Sequence, residues 1–193
     1  LNKEGSIGLP VPGTTIEITD RDDPSKLMPV GEPGEIRISG PQVMAGYLGR
    51  PEATAETVIE GRLRTGDVGY MDDDGHTFII DRMKDIVFVG GFNVYPRNVE
   101  EAIYRHPAVE EVTVIGIPDD YQGESVKAFV KIKAGEELRE EALIEFLKEK
   151  LGKHELPRFV EFRDALPKTM IGKLSKKELV SEYHQQLEKH QHE

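Results

Sequence analysis

Leu166-Pro167-Lys168-Thr169-Met170-Ile171-Gly172-Lys173-Leu174-Ser175-Lys176-Lys177-Glu178-Leu179 sets Lys173 on a glycine-containing loop directly ahead of a strongly signalled helix. Ser175 and Glu178 have the spacing of a capping box, in which each side chain satisfies an otherwise unpaired amide at the helix start. Leu174 and Leu179 flank the box at the spacing of a hydrophobic staple. A lysine on such a mount, beside amide donors and the positive end of a helix dipole, suits a phosphate or a carboxylate. Taken alone, the same residues also describe a solvated lysine in an ordinary loop-to-helix junction.

Upstream, residues 1–80 are rich in glycine, proline and turn signals, with short alternating runs. Thr15–Thr19 and Glu35–Ser39 place apolar residues on one face with the strand period of two. Pro24, Pro29, Gly31, Pro33 and Gly34 mark the loop between them. Pro51 to Ile59 reads as a short helix with proline in its first turn. His76 to Asp81 and Asp85 to Val89 read as further strands. This half is predicted to be a small, barrel-like β subdomain.

From Lys84 onward the texture changes, and residues 84–193 are predicted to form an α+β domain. Pro96 opens a helix with Val99, Ala102 and Ile103 on one face, closed by His106-Pro107. Val109–Ile117 and Ser125–Lys133 are strand-like, with a turn at Pro118-Asp119-Asp120. Leu143, Phe146, Leu147 and Leu151 line a second amphipathic helix ending at Gly152. Arg158–Phe162 is a short strand, and a last helix runs from Ser175 toward Leu187. Lys189–Glu193 reads as a frayed tail whose two histidines are poor evidence for a metal site. Tyr70, Phe78 and Phe129 are expected in the core.

Composition removes several function classes. The 193 residues carry 25 basic and 36 acidic side chains, a net charge of −11 that argues against electrostatic nucleic-acid binding. The absence of cysteine rules out disulfides, thiolate metal sites and a thiol nucleophile. No apolar run reaches the ~18 residues of a membrane helix, and no signal peptide is visible. A cytoplasmic location is the expectation. Because the chain opens at Leu1 and runs at once into Gly5-Ser6-Ile7-Gly8-Leu9-Pro10, it reads as part of a longer protein.

A second constellation sharpens the reading of Lys173. Arg64-Thr65-Gly66-Asp67 is followed by Val68-Gly69-Tyr70, an acidic turn at Asp72-Asp73-Asp74-Gly75, and then Asp81-Arg82-Met83-Lys84-Asp85. With the Lys173 segment, this order and spacing resemble the adenylate-forming superfamily of acyl-CoA synthetases, aryl-CoA ligases, luciferases and peptide-synthetase adenylation domains. The likeness runs from about Gly5 to Leu179. Gly34–Gly40, Gly46-Tyr47-Leu48 and Gly91-Phe92-Asn93-Val94-Tyr95-Pro96 look like the long-chain fatty acyl-CoA synthetase branch.

The resemblance implies ATP, Mg2+, a fatty acid and CoA as ligands. It implies that Asp67 takes both ribose hydroxyls of the nucleotide, since an ionised carboxylate is acceptor-only. Arg82, a planar fork, would hold ribose oxygens or a phosphate; by itself it reads as a surface ion pair with Asp81 or Asp85. Lys84 matches the hinge about which a small C-terminal domain swings. Lys173 would bridge the carboxylate and the α-phosphate, because joining two anions requires a cation. Domain rotation would then withdraw it and present Val89-Gly90-Gly91-Phe92, where Gly90 and Gly91 let the pantetheine arm of CoA approach the backbone.

Departures narrow the branch. Asn93 stands where acetate-type synthetases commonly carry arginine, Asn98 replaces a frequent glutamate, and Met170-Ile171 is bulkier than usual before the glycine-lysine pair. No peroxisomal tripeptide supports the luciferase branch. Neither a phosphate loop nor an upstream adenine and magnesium motif is present, so residues 1–83 are expected to be the last β subdomain of a large domain. The missing N-terminal part would carry the Mg2+ ligands, and the 193 residues alone are expected to be inactive. Two rivals remain open: an enzyme loading a carrier protein, and a non-catalytic binding module that retains the fold.

Overall fold

Alternation in Thr15–Thr19 and Gly34–Ser39 sends Ile18 and Ile36 to one face, where both are buried. In a computed structural model describing residues 3–190, these segments are β2 and β3, paired antiparallel with Ile18 opposite Ile36. They join β1 (Ser6–Gly8), β5 (Arg62–Met71) and β6 (Thr77–Arg82) in a sheet ordered β1-β6-β5-β3-β2. Between β3 and β5 lie α1 (Pro51–Thr57) and the two-residue β4 (Val58–Ile59), which pairs with β5. The expected helix therefore stops before Val58 and Ile59, whose β-branched side chains suit a strand.

The sheet is open rather than a closed barrel. β1 and β2 stand at opposite edges; β1 is three residues long with a shifted register, and β2 is met beyond β3 by the loop segment at Leu27, through a bridge from Thr19. Closure would need the two edge strands to hydrogen-bond each other. Tyr70 and Phe78 are not core residues: they are opposite one another on β5 and β6, half-buried, with rings stacked at 4.9 Å. Glu35, by contrast, is 1% exposed and accepts from Arg64 Nε at 3.0 and 3.1 Å.

Chain contacts divide between Leu1–Lys84 and Asp85–Glu193. The division falls within a 3-10 turn at Met83–Asp85. The elements of the second unit are β7 (Val87–Val89), β8 (Phe92–Val94), α2 (Pro96–Tyr104), β9 (Val109–Asp119), β10 (Gly123–Ile132), α3 (Glu140–Lys148), β11 (Phe159–Phe162) and α4 (Lys176–His190). β10 pairs antiparallel with β9 along its length and with β7, and parallel with β11.

The period of two on the long hairpin supplies two cores. Val112, Val114, Val126, Ala128 and Val130 meet Val99, Ala102 and Ile103 of α2 and Leu143 and Leu147 of α3. Their odd-numbered neighbours Ile115, Ile117 and Phe129 meet Leu166 and Leu179 on the other face. β9 runs two residues past its expected end, because Asp119 turns the chain by accepting from the Tyr121 and Gln122 amides. α3 stops at Lys148 rather than near Gly152, yet Leu151 still packs on the core.

Among the described residues no helix is long and apolar enough to cross a membrane. Of the tail at Lys189–Glu193, residues 191–193 and the side chains of Lys189 and His190 lie outside the described residues.

Candidate functional site

The antiparallel register of β5 and β6 puts Asp67 opposite Arg82. Gly66 turns the backbone at φ 70°, and the Thr65 hydroxyl accepts from the Asp67 amide at 3.1 Å while donating to the Ile36 carbonyl at 2.8 Å. Asp67 Oδ1 then meets Arg82 Nη1 at 2.8 Å, with the aspartate largely shielded and the guanidinium half exposed. The Arg82 guanidinium thus pairs with Asp67, while the Arg82 backbone amide donates to Asp81 Oδ1 at 2.7 Å. Among the described residues Asp67 Oδ2 accepts no hydrogen bond, which leaves an acceptor beside a cation.

Lys84 lies in the 3-10 turn, exposed, as the last residue of the first unit. Its ammonium makes no ion pair among the described residues.

Gly90 and Gly91 form the two-residue turn between β7 and β8, at φ 57° and 88°. Positive φ at both positions is what a type I′ hairpin turn demands. The Gly90 amide donates to the Gln122 carbonyl at 2.9 Å. A groove of about 410 Å³ lies against this turn, and its lining includes Phe92, Gln122, Lys153, His154 and Arg158. Phe92 and His154 stack with ring centroids 4.6 Å apart. Asp119 holds the Arg158 guanidinium at the rim. The Ser125 hydroxyl, then the Tyr121 and Gln122 amides and Arg158, pull the Asp119 carboxyl below its ordinary value.

Lys173 sits on a tight hairpin. Lys168 and Leu174 form an antiparallel bridge, and the Thr169 amide donates to the Lys173 carbonyl at 2.7 Å. The Gly172 amide donates to the Thr169 carbonyl at 2.8 Å, and the Thr169 hydroxyl accepts from the Lys173 amide at 3.2 Å. The helix entrance is likewise held by main chain, Ser175 N–H donating to the Pro167 carbonyl at 2.9 Å. The staple expectation holds in part, since Leu179 is buried and Leu174 packs beside it. The tip is open: Met170, Ile171 and Lys173 are exposed, and the ammonium has no partner among the described residues.

Of the expected residues, Asp67 and Arg82 meet directly, Gly90 and Gly91 share one turn, and Lys84 and Lys173 each lack an ion pair among the described residues. A larger hollow of about 490 Å³, lined by Arg37, Arg62 and Glu17 among others, contains none of them. Sequence reading gave no role to Glu35 or Glu100, whose partners lie distant along the chain, nor to the Asp119–Ser125 contact, which Arg158 joins from afar.

Two family models match this chain: "AMP-binding enzyme" over residues 1–48 and "AMP-binding enzyme C-terminal domain" over residues 98–173. The chain is 48% identical over 181 residues to a long-chain-fatty-acid–CoA ligase of Bacillus subtilis, covering 94% of this chain and 32% of that protein. The chain belongs to the AMP-binding enzymes. A long-chain-fatty-acid–CoA ligase of Escherichia coli O6:H1 is 47% identical over 178 residues, 92% of this chain and 31% of the relative. Among solved structures, ATP-bound MatB from Rhodopseudomonas palustris superposes with a TM-score of 0.87 at 37% identity, covering 93% of this chain and 36% of that one. Bacillus subtilis o-succinylbenzoate CoA synthetase with its acyl-adenylate intermediate gives 0.84 at 34% identity, over 92% and 36%. This AMP-binding enzyme chain spans about a third of the length of the curated relatives it matches. Lys173 is the last residue of the C-terminal match.

Proposed function

We propose that this chain supplies the ribose-holding pair, the pivot and the adenylating lysine of a long-chain fatty acid–CoA ligase. The names of the relatives at 47–48% identity support the choice of acid and thiol. Because the chain covers about a third of those relatives, we read it as the C-terminal portion of a longer ligase, with the acyl pocket elsewhere. In that reading residues 1–83 complete the large domain and 84–193 form its mobile lid.

One observation carries the proposal: an exposed, unpartnered ammonium at the tip of a hairpin whose backbone is closed by hydrogen bonds. Such a cation is held in place yet free to meet anions. The fatty acid carboxylate oxygen attacks the α-phosphorus of ATP, and the bond to pyrophosphate breaks. Lys173 stabilises the charge gathered between carboxylate and phosphate. Asp67 accepts the ribose hydroxyls through its open oxygen, and Arg82 keeps the carboxylate oriented. Bound Mg2+ would neutralise phosphate oxygens.

Turning about Lys84 then takes Lys173 away and brings Gly90–Gly91 forward. The thiol of CoA loses its proton, the sulfur attacks the acyl carbonyl, and the bond to AMP breaks. Two glycines without side chains leave room for the narrow pantetheine arm, while Lys153 and Arg158 in the adjoining groove suit an anionic ligand.

The test separates the two half-reactions in the complete ligase. Lys173→Ala should slow adenylation by on the order of 10²–10³-fold. Transfer from supplied acyl-adenylate to CoA should persist. Equal loss of both would overturn the assignment. The 193 residues by themselves should release no pyrophosphate from ATP, fatty acid and CoA.

A further inference from the structure

The hairpin that carries Lys173 is attached to the edge strand β9 at both of its ends. On the incoming side, Lys168 pairs with Glu111 of β9. On the outgoing side, Lys176 Nζ meets Glu100 Oε1 of α2 at 3.0 Å. The same Glu100 oxygen accepts the Val114 amide at 2.9 Å. Val114 is fully buried, so this carboxylate is fixed by a rigid strand rather than by a mobile surface loop. Leu166 and Leu174 fill the space between, packed on Ile115, Ile117 and Phe129.

We propose that Glu100, seconded by Glu111, is a positioning residue that orients the Lys173 hairpin and removes competing positive charge around it. This rests on the reading of Lys173 as the adenylating amine. Lysines 168, 173, 176 and 177 crowd one short stretch, and an anion would find any of them. Glu111 and Glu100 neutralise Lys168 and Lys176, which leaves Lys173 at the hairpin tip, and Lys177 beyond it on α4, without an ion pair among the described residues. Ordinary surface ion pairs contribute little. Here both Glu100 and Lys176 are more than three-quarters buried, and the carboxylate has a second, backbone partner.

The experiment has two arms. In the 193-residue chain, hydrogen exchange is followed at the amides of Thr169, Gly172 and Ser175. Glu100→Gln keeps an acceptor for the Val114 amide but removes the charge facing Lys176. These three amides should exchange about tenfold faster, with β9 and β10 unchanged. Unchanged exchange at the hairpin overturns the proposal.

In the complete ligase, Glu100→Gln should lower kcat for adenylation about tenfold, leaving the KM for ATP and the thiol-transfer step unaltered. Lys176→Met should do the same, and the double variant should be no worse than either single one. Additive losses, or equal losses in both half-reactions, would mark a general folding role and overturn the proposal. Should Lys173→Ala leave adenylation intact, the catalytic reading fails by itself, and the exchange arm still decides whether Glu100 holds the hairpin.

Discussion

Asp67 and Arg82 are direct cross-strand partners, and their side chains meet at 2.8 Å across the β5–β6 pair. One oxygen of the carboxylate is thereby committed to a cation, and among the described residues the other accepts no hydrogen bond. Arg82 also lies two residues before Lys84, so the proposed nucleotide contact and the proposed pivot are nearly contiguous in the chain.

Substituting this pair should separate binding from folding. In the complete ligase, Arg82→Ala should raise the KM for ATP about tenfold, near the ~1.4 kcal/mol of one charge-assisted hydrogen bond. The half-exposed pair should contribute less than about 1 kcal/mol to stability. Steady-state kinetics beside thermal melting measures both; a large fall in melting temperature with unchanged KM would contradict it.

Gly91 should be selective in the opposite sense. A Cβ there meets nothing within 4 Å, but its φ of 88° strains any L side chain. Gly91→Val should cost roughly 1–2 kcal/mol of stability. It should also slow thiol transfer while sparing pyrophosphate release. Parallel assays of the two half-reactions give the answer.

Glu35 is a stability residue. It is almost completely buried between the Arg64 and Arg37 guanidinium groups, at 3.0 and 3.8 Å. Glu35→Ala leaves Arg37 as a buried cation without a counter-charge and should destabilise the first unit by about 3–5 kcal/mol. Urea unfolding would report this as an earlier midpoint.

Acid should act through Asp119. Its folded carboxyl titrates below the unfolded value, the Ser125 hydroxyl being the largest cause. The stabilisation is therefore complete above the unfolded value of about 4 and is lost as pH falls through the folded one. Urea midpoints measured from pH 6 downward should decline in the wild-type chain below about pH 4. Asp119→Asn should remove that part of the slope, and an identical slope in both proteins would refute the assignment.

What the sequence disclosed was whatever is written contiguously. Val99, Ala102 and Ile103 announced α2, and Leu143 with Leu147 announced α3, because a helix face repeats within a few residues. Lys173 was singled out because its loop, glycine and following helix lie in one stretch. β1 and β8, three residues each, are too short to show a period, and β5 was hidden inside the residues read as a motif. The Asp67–Arg82 contact depends on strand register. The Asp119–Ser125–Arg158 cluster joins three segments that meet only after β10 has paired with β11. Open edges replaced the expected barrel because closure is a property of strand lengths and tilt, which local alternation does not encode.

The short connection at Met83–Asp85 has a mechanical consequence. Arg82 is fastened to Asp67, and Val87 is already built into the core of the second unit. Five Cα steps separate these anchors, a leash of roughly 17 Å at full stretch. Swivelling is thus available to the second unit, whereas drifting away is not. Tethered so closely, its faces experience an effective concentration on the order of millimolar. In the proposed ligase each docking surface could therefore be weak, so that the faces bearing Lys173 and Gly90–Gly91 would exchange in the proposed cycle without either one becoming trapped.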